Sequence, residues 1–205
     1  MKFATYSIGD GSRAAVIQEG LVYDLQKLDP TFPSDLNDIF GVDITVLAKV
    51  VARADRAQGV AIADVQLVAP FPKPKRNIFC VGKNYHEHAH EFHSSGFDST
   101  AGKDAIPEFP IIFTKAPTSI VGPGAAVISS YDETGSVDYE GELGVIIGRG
   151  GRSITRSDAY DHVFGYTVVN DVTSRILQQL STAEQKSAIR RRKTRPSCYM
   201  PGGVA

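Results

Sequence analysis

Hydrophobic and polar residues alternate at the start of the chain. Lys2-Phe3-Ala4-Thr5-Tyr6 is followed by a Gly/Asp turn and then by Ala14-Ala15-Val16-Ile17; Glu19-Gly20 turns the chain again before Leu21-Val22-Tyr23. Short runs divided by small turns predict a hairpin or meander. Asp29 to Phe40 contains Pro and Asp and predicts a loop. Val46, Leu47, Val50, Val51 and Ala54 fall at helical spacing within 44–57. Ala69-Pro70-Phe71-Pro72-Lys73-Pro74-Lys75-Arg76 then sets three prolines at alternate positions, which forbids a helix and favours an extended connector. A domain boundary is expected here, with a small N-terminal domain over 1–69 and a second domain over 75–205.

Beyond the connector, Asn77-Ile78-Phe79-Cys80-Val81 predicts a buried strand ending at Gly82. Asn84 to Phe92 is polar, His-rich and compatible with a helical turn, and His93 to Pro110 predicts a long loop of the kind that is functional or disordered. Further strands are expected at Ile111–Thr114, Ala126–Ile128, Val137–Ile147 and Val163–Val169. Thr155 to Tyr160 predicts a helix capped by Thr155 or Ser157, and Thr173 to Leu180 begins another. The pattern is strand-rich α+β, without alternating βαβ units.

The length of 205 residues suits one large domain, or a small one plus a medium one. With 42% hydrophobic and 22% charged residues the composition is that of an ordinary soluble globular protein. A formal net charge of −1 leaves no global field to recruit nucleic acid or an anionic membrane. No apolar stretch is long enough to span a bilayer, and an N-terminus carrying Asp10, Arg13 and Glu19 is no signal peptide. Cys80 and Cys198 build neither a disulfide framework nor a zinc spacing. They fit a reducing compartment, so a cytoplasmic location is expected.

Two clusters carry candidate chemistry. Glu140 and Glu142 stand two apart in a predicted strand and would project to one face. Like charges that close need a cation or a shared proton. Asp171 ends the next predicted strand, and three carboxylates suit Mg²⁺, Mn²⁺ or Ca²⁺ better than Zn²⁺. The spacing alone equally allows a solvated strand face and a helix cap. The second cluster is His86, His88, His90 and His93, which reads as a soft-metal site, a catalytic element or a solvated loop.

Four motifs together resemble the fumarylacetoacetate hydrolase family. They are Ile78-Phe79-Cys80-Val81-Gly82-Lys83-Asn84-Tyr85 with His88 and Glu91; Phe113 to Pro123; Asp138-Tyr139-Glu140-Gly141-Glu142-Leu143; and Gly165 to Arg175. The resemblance implies a strand-rich mixed β-sandwich roll with a small N-terminal α/β appendage. It implies metal ligation by Glu140, Glu142 and Asp171, with Mg²⁺ or Mn²⁺ as the usual ion. It implies small 2-oxo acids, acylpyruvates and diketo acids of catabolism as substrates, which are hydrolysed at a C–C bond, decarboxylated or isomerised. His88 would be the general base, oriented by Glu91 one helical turn on. Arg175 and Gln178 resemble substrate-contacting positions, and Tyr85 and Lys115 are further candidates, each with a packing role as the alternative. The His-rich segment and the loop after it would act as a lid.

The motif resemblance ends near Gln178. Family members continue with a Gly-Lys pair and a Cys-Pro-Met-Gly-Pro-like stretch, whereas this chain reads Gln179 to Lys186, a basic run from Arg190 to Arg195, and Cys198-Tyr199-Met200-Pro201-Gly202. A frameshifted end, a divergent truncation and a piece of a longer protein all remain open. The basic run lacks interleaved aromatic residues and reads as a solvated tail. An incomplete roll would leave strand edges that favour aggregation or pairing, so a homodimer is expected. It also leaves open a second function: an inactive relic that still binds metal or a partner subunit.

Overall fold

The structure is a computed structural model that describes residues 1–94 and 106–179. The first 68 residues build one five-stranded antiparallel sheet in the order β4-β3-β2-β1-β5. Its strands are β1 (Lys2–Ile8), β2 (Gly11–Gln18), β3 (Leu21–Asp24), β4 (Val60–Ala61) and β5 (Leu67–Val68). The meander follows the sequence pattern. Gln18 pairs with Leu21 across Glu19 and Gly20, both at positive φ (49° and 77°), as a turn matched to the strand twist requires.

Asp24 ends β3 and caps the short helix α1 (Leu25–Leu28), accepting hydrogen bonds from the N–H groups of Gln26 and Lys27. The expected loop after it contains a 3₁₀ turn, Leu36–Gly41, capped by Asp35. Helix α2 (Ile44–Ala52) starts on Asp43, whose carboxylate accepts from Thr45 and Val46. Leu47 and Val51 of α2, with Leu36 and Ile39 of the 3₁₀ turn, pack on Ala14, Val16 and Tyr23 of the sheet. This is the main core cluster, and truncating a residue such as Leu47 costs about 2–5 kcal/mol.

The second part is built from antiparallel pairs. β6 (Ile78–Gly82) pairs with β7 (Ile111–Lys115), with Cys80 opposite Phe113, and helix α3 (His86–Ser94) follows β6. β8 (Val137–Asp138) and β9 (Gly141–Ile147) face β11 (Thr173–Ser174) and β10 (Val163–Asn170) respectively. Helix α4 (Arg175–Gln179) closes the described chain. The pairs β9/β10 and β8/β11 are one two-stranded ribbon, interrupted at Tyr139–Glu140 on one side and Asp171–Val172 on the other.

Aromatic rings join the parts. Phe164 of β10 lies 5.2 Å from Phe3 and 5.1 Å, edge-on, from Phe40, which stacks on Phe71. Gly122 lies against β5, where a Cβ would stand 2.7 Å from Val68 Cα.

Several expectations need correction. Ala126–Ile128 is not a strand: no strand among the described residues pairs with it, and Val127 O instead accepts from Ser129 N–H. Thr155–Tyr160 is a turn leading to a 3₁₀ segment at Ala159–His162, because the hydroxyls of Thr155 and Ser157 bond each other and not a helix terminus. Thr173 and Ser174 form β11 before the helix starts. The run at Ile78–Val81 is a strand exposed on one face, with Phe79 at 69%. Val145 and Ile147 are likewise exposed, because a two-stranded ribbon covers only one of its faces.

Candidate metal centre

Glu140, Glu142 and Asp171 meet at the interruption of the ribbon. One carboxylate oxygen from each lies within 4.8 Å of the other two. Glu142 points inward because residues of β9 alternate: Leu143, Val145 and Ile147 face out, and Glu142, Gly144 and Ile146 face in. Glu140 reaches the same place by a different route from the one the spacing suggests. It stands outside any strand, in the gap between β8 and β9. Its N–H donates to Asn170 Oδ1 (3.1 Å), and its carbonyl accepts from the Asp171 N–H (2.8 Å). The two ligand-bearing segments are thus clasped to each other by their backbones.

Asp171 is only 4% exposed, which removes the solvated-face reading for this residue. Its Oδ1 carries an ion pair from the Lys115 ammonium; beyond that pair no donor among the described residues reaches it. Lys115 also donates to Val172 O (3.3 Å). Glu140 Oε1 takes Arg175 Nη2 at 2.8 Å and His88 Nε2 at 3.3 Å. Arg175 also holds Asp138 Oδ2 (2.9 Å), and its Nη1 lies 3.4 Å from Gln178 Oε1. Ser136 fixes the start of α4, accepting from the N–H groups of Arg175 and Ile176. Ser136 is held in turn by Asp132, whose carboxyl is brought down to about 2, chiefly by the Thr134 hydroxyl.

The electrostatics point to a missing positive charge. Burial pushes the Glu142 carboxyl above its ordinary value, and the charges of Asp171 and Glu140 push it further; His88 and Lys115 only partly oppose this. Burial also raises Asp171, against the pull of Lys115. Cys80, on the same inner face, is pushed up to about 11 by burial and then by Asp171. Lys115 pairs with Asp171, and Arg175 with Asp138 and Glu140. A divalent ion would add positive charge where Glu140, Glu142 and Asp171 repel one another. Three carboxylates, a set of oxygen-only donors, fit a hard ion such as Mg²⁺, Mn²⁺ or Ca²⁺.

A cavity of about 680 Å³ opens over this centre. His88, Glu91, Tyr85, Glu140, Glu142 and Arg175 line it, so the sequence-derived candidates on α3 and α4 face one space. Gln178 lines a smaller recess beside it. His88 is set against Glu140, while Glu91 stands exposed in the cavity wall. The hydroxyl of Tyr85 accepts from the Leu143 N–H (3.3 Å), which ties the approach to α3 to β9. Sequence reasoning missed Asp138 and Asn170. Asp138 and Asn170 adjoin the ligands in the motifs, but neither residue's partner can be read from spacing. The segment after Ser94, Lys186, the basic run and Cys198 lie outside the described residues.

Comparison with known proteins agrees with this geometry. The sequence matches the description "Fumarylacetoacetate (FAA) hydrolase C-terminal" over residues 77–204, beyond the point near Gln178 where the motifs stop being legible. It is 40% identical to oxaloacetate tautomerase YisK of Bacillus subtilis, over 87% of this chain and 62% of that protein. The solved fumarylacetoacetate hydrolase of Exiguobacterium antarcticum superposes with a TM-score of 0.64 at 37% identity, covering 87% of this chain and 58% of its own. Maleylpyruvate hydrolase of Sphingobium sp. SYK-6, solved with manganese(II) and pyruvate, gives a TM-score of 0.61 at 26% identity over 90% of this chain and 64% of its own. The chain therefore spans about three-fifths of the length of these relatives, which are enzymes. These neighbours share its α+β fold, and the chain belongs to the fumarylacetoacetate hydrolase family.

Proposed function

We propose that this protein is a divalent-metal-dependent enzyme acting on small 2-oxo acids, diketo acids among them. The observation that carries the reading is the convergence of three carboxylates, of which Glu140 and Glu142 line a cavity whose wall holds an imidazole and Asp171 is buried beside them. Glu140, Glu142 and Asp171 would hold Mg²⁺ or Mn²⁺, with Ca²⁺ as a third candidate. Such an ion supplies Lewis-acid polarisation to a 2-oxo acid's carbonyl.

The chain's own groups supply the rest. Lys115 favours the charged form of the buried Asp171, against the effect of burial, and would fix its direction. His88 sits at the edge of the centre with Nε2 3.3 Å from Glu140 Oε1; a general base there would take a proton from water or from the carbon beside a carbonyl through a ring nitrogen not engaged by that carboxylate. Glu91, one helical turn on, would orient that ring. Arg175, held between Asp138 and Glu140 with Gln178 beside it, presents a fixed guanidinium edge to a substrate carboxylate. Tyr85 lines the approach. Proton transfer without water attack gives tautomerisation; water attack gives C–C hydrolysis.

The relatives include a tautomerase and hydrolases. The test is therefore to follow loss of enol absorbance from oxaloacetate and from an acylpyruvate, with EDTA and then with Mn²⁺. Turnover should require the metal and fall about 100-fold or more in His88→Ala. A chain that binds Mn²⁺ yet turns over neither would be the inactive relic. We place the protein in the cytoplasm as a homodimer, without nucleic-acid or membrane partners; among the described residues no helix is long and apolar enough to cross a membrane. Sedimentation showing a monomer would remove the dimer.

A further inference from the structure

Asp132 is a buried carboxylate in the loop that leads into β8, and it does not line the cavity. Its Oδ1 accepts from the N–H and the hydroxyl of Thr134. Its Oδ2 accepts from the N–H (2.7 Å) and the hydroxyl (3.3 Å) of Ser136. With its carboxyl brought down to about 2, Asp132 is ionised at neutral pH and can only accept. The hydroxyl protons around it therefore turn towards it. That of Ser136 reaches Asp132 directly, or through the Thr134 hydroxyl 2.7 Å away. Either way the lone pairs of Ser136 Oγ are left for other donors.

Those donors belong to the start of α4. Ile176 N–H, which has no partner within its own helix, donates to Ser136 Oγ at 3.0 Å. Arg175 N–H donates to Ser136 O at 3.0 Å, and Ser174 Oγ lies 3.1 Å from Ser136 Oγ. Strand pairing holds this segment only weakly, since β11 and β8 match at two positions, Thr173 with Asp138 and Ser174 with Val137. The segment in turn grips Glu140 at both carboxylate oxygens. Arg175 Nη2 donates to Oε1 at 2.8 Å, and the Thr173 hydroxyl lies between Oε2 (3.4 Å) and Asp171 O (3.2 Å).

We propose that Asp132 is a positioning residue for the carboxylate centre: acting through Ser136, it seats residues 173–176 so that Thr173 and Arg175 hold the Glu140 carboxylate in one orientation for the cation. The inference rests on the reading of Glu140, Glu142 and Asp171 as a divalent-cation site. An asparagine at 132 would not replace the carboxylate. Its single oxygen serves one side of the network, and its amide N–H₂ meets the N–H of Ser136 or Thr134, donor against donor.

The test is titration with Mn²⁺ alone, the free ion being followed by electron paramagnetic resonance. Asp132→Asn and Ser136→Ala should each bind Mn²⁺ about 10–100-fold more weakly than wild type, the usual effect of removing a group that orients a ligand. Ser136→Thr, which keeps the hydroxyl, should restore the affinity. Glu133→Gln removes one charge beside Asp132 from an exposed side chain and should bind as wild type does, which separates position from long-range field. Wild-type affinity in Asp132→Asn or in Ser136→Ala overturns the assignment. So does a loss in Glu133→Gln as large as that in Asp132→Asn, or a loss in Ser136→Thr as large as that in Ser136→Ala. If Asp132→Asn does not melt cooperatively, the two Ser136 variants decide. Wild type that binds Mn²⁺ no more tightly than Asp132→Asn leaves the cation site standing and removes only the role of Asp132. Wild type that does not bind Mn²⁺ overturns both.

Discussion

Glu142→Gln should stabilise the metal-free protein and destabilise the metal-loaded one relative to wild type. The side chain keeps its size and hydrogen-bonding edge but loses its charge. That charge lies within 4.8 Å of Glu140 and Asp171 oxygens. Two unit charges at that distance repel by about 1 kcal/mol in water and about 3.5 kcal/mol at an effective dielectric of 20. Lys115 and His88 oppose part of this, so the net gain on neutralisation is set at about 1 kcal/mol. For a chain of this size that is a rise of roughly 2–4 °C in Tm in EDTA. Mn²⁺ at a hundredfold over its Kd stabilises wild type by about 2.7 kcal/mol, a shift of roughly 5–11 °C. The variant, lacking one of three donors, should show little of it. Circular-dichroism melts with EDTA and with Mn²⁺ should therefore change order. A variant that melts well below wild type in EDTA would refute the reasoning, since Glu142 would then support the fold with its charge. A variant that responds to Mn²⁺ like wild type would refute the donor set.

Other outcomes follow from the same geometry. Glu142 and Asp171 titrate above their ordinary values in the folded chain. Their contribution to metal-free stability is thus fullest below the unfolded carboxylate range, about pH 4, and falls as pH rises through the raised values; urea melts of Glu142→Gln should show a shallower decline. Asp24 behaves in the opposite sense. Burial raises it, but hydrogen bonds from Arg13, Tyr6 and the Lys27 N–H bring it below its ordinary value. Its stabilisation is present above that range and lost as pH falls through the lowered value; Tyr6→Phe should cost about 1–2 kcal/mol at neutral pH and less in acid. Gly122→Ala places a methyl 2.7 Å from Val68 Cα, where carbon contacts are about 3.5–4.0 Å. It should cost about 1–3 kcal/mol, whereas Gly41→Ala, with nothing within 4 Å, should change little in the same melts.

Local chemistry made the N-terminal meander legible, because two-residue turns and alternation act within a few residues. Helix α2 was legible for the same reason: its cap and its apolar stripe lie in one short segment. What failed was whatever depends on a distant partner. Val127 and Ile128 have strand composition but no strand to pair with among the described residues. Glu140 and Glu142 were expected to share one strand face; they converge because Asn170, far along the chain, accepts the Glu140 N–H and holds Glu140 out of the ladder. The motifs named the carboxylates, but the partners of Lys115 and Arg175 become visible only when β7, the ribbon and α4 are placed together.

The clasp between Glu140 and the Asn170-Asp171 pair has a bearing on ion size. A loose set of carboxylates closes around Mg²⁺, with oxygens at about 2.0–2.1 Å, or opens to Ca²⁺ at about 2.3–2.6 Å, at little cost. Two donors tied together through their own main chains resist that breathing. Discrimination by radius would then be stored in an amide side chain that never touches the ion. Drift at Asn170 would broaden the choice of cation while every coordinating residue stayed in place.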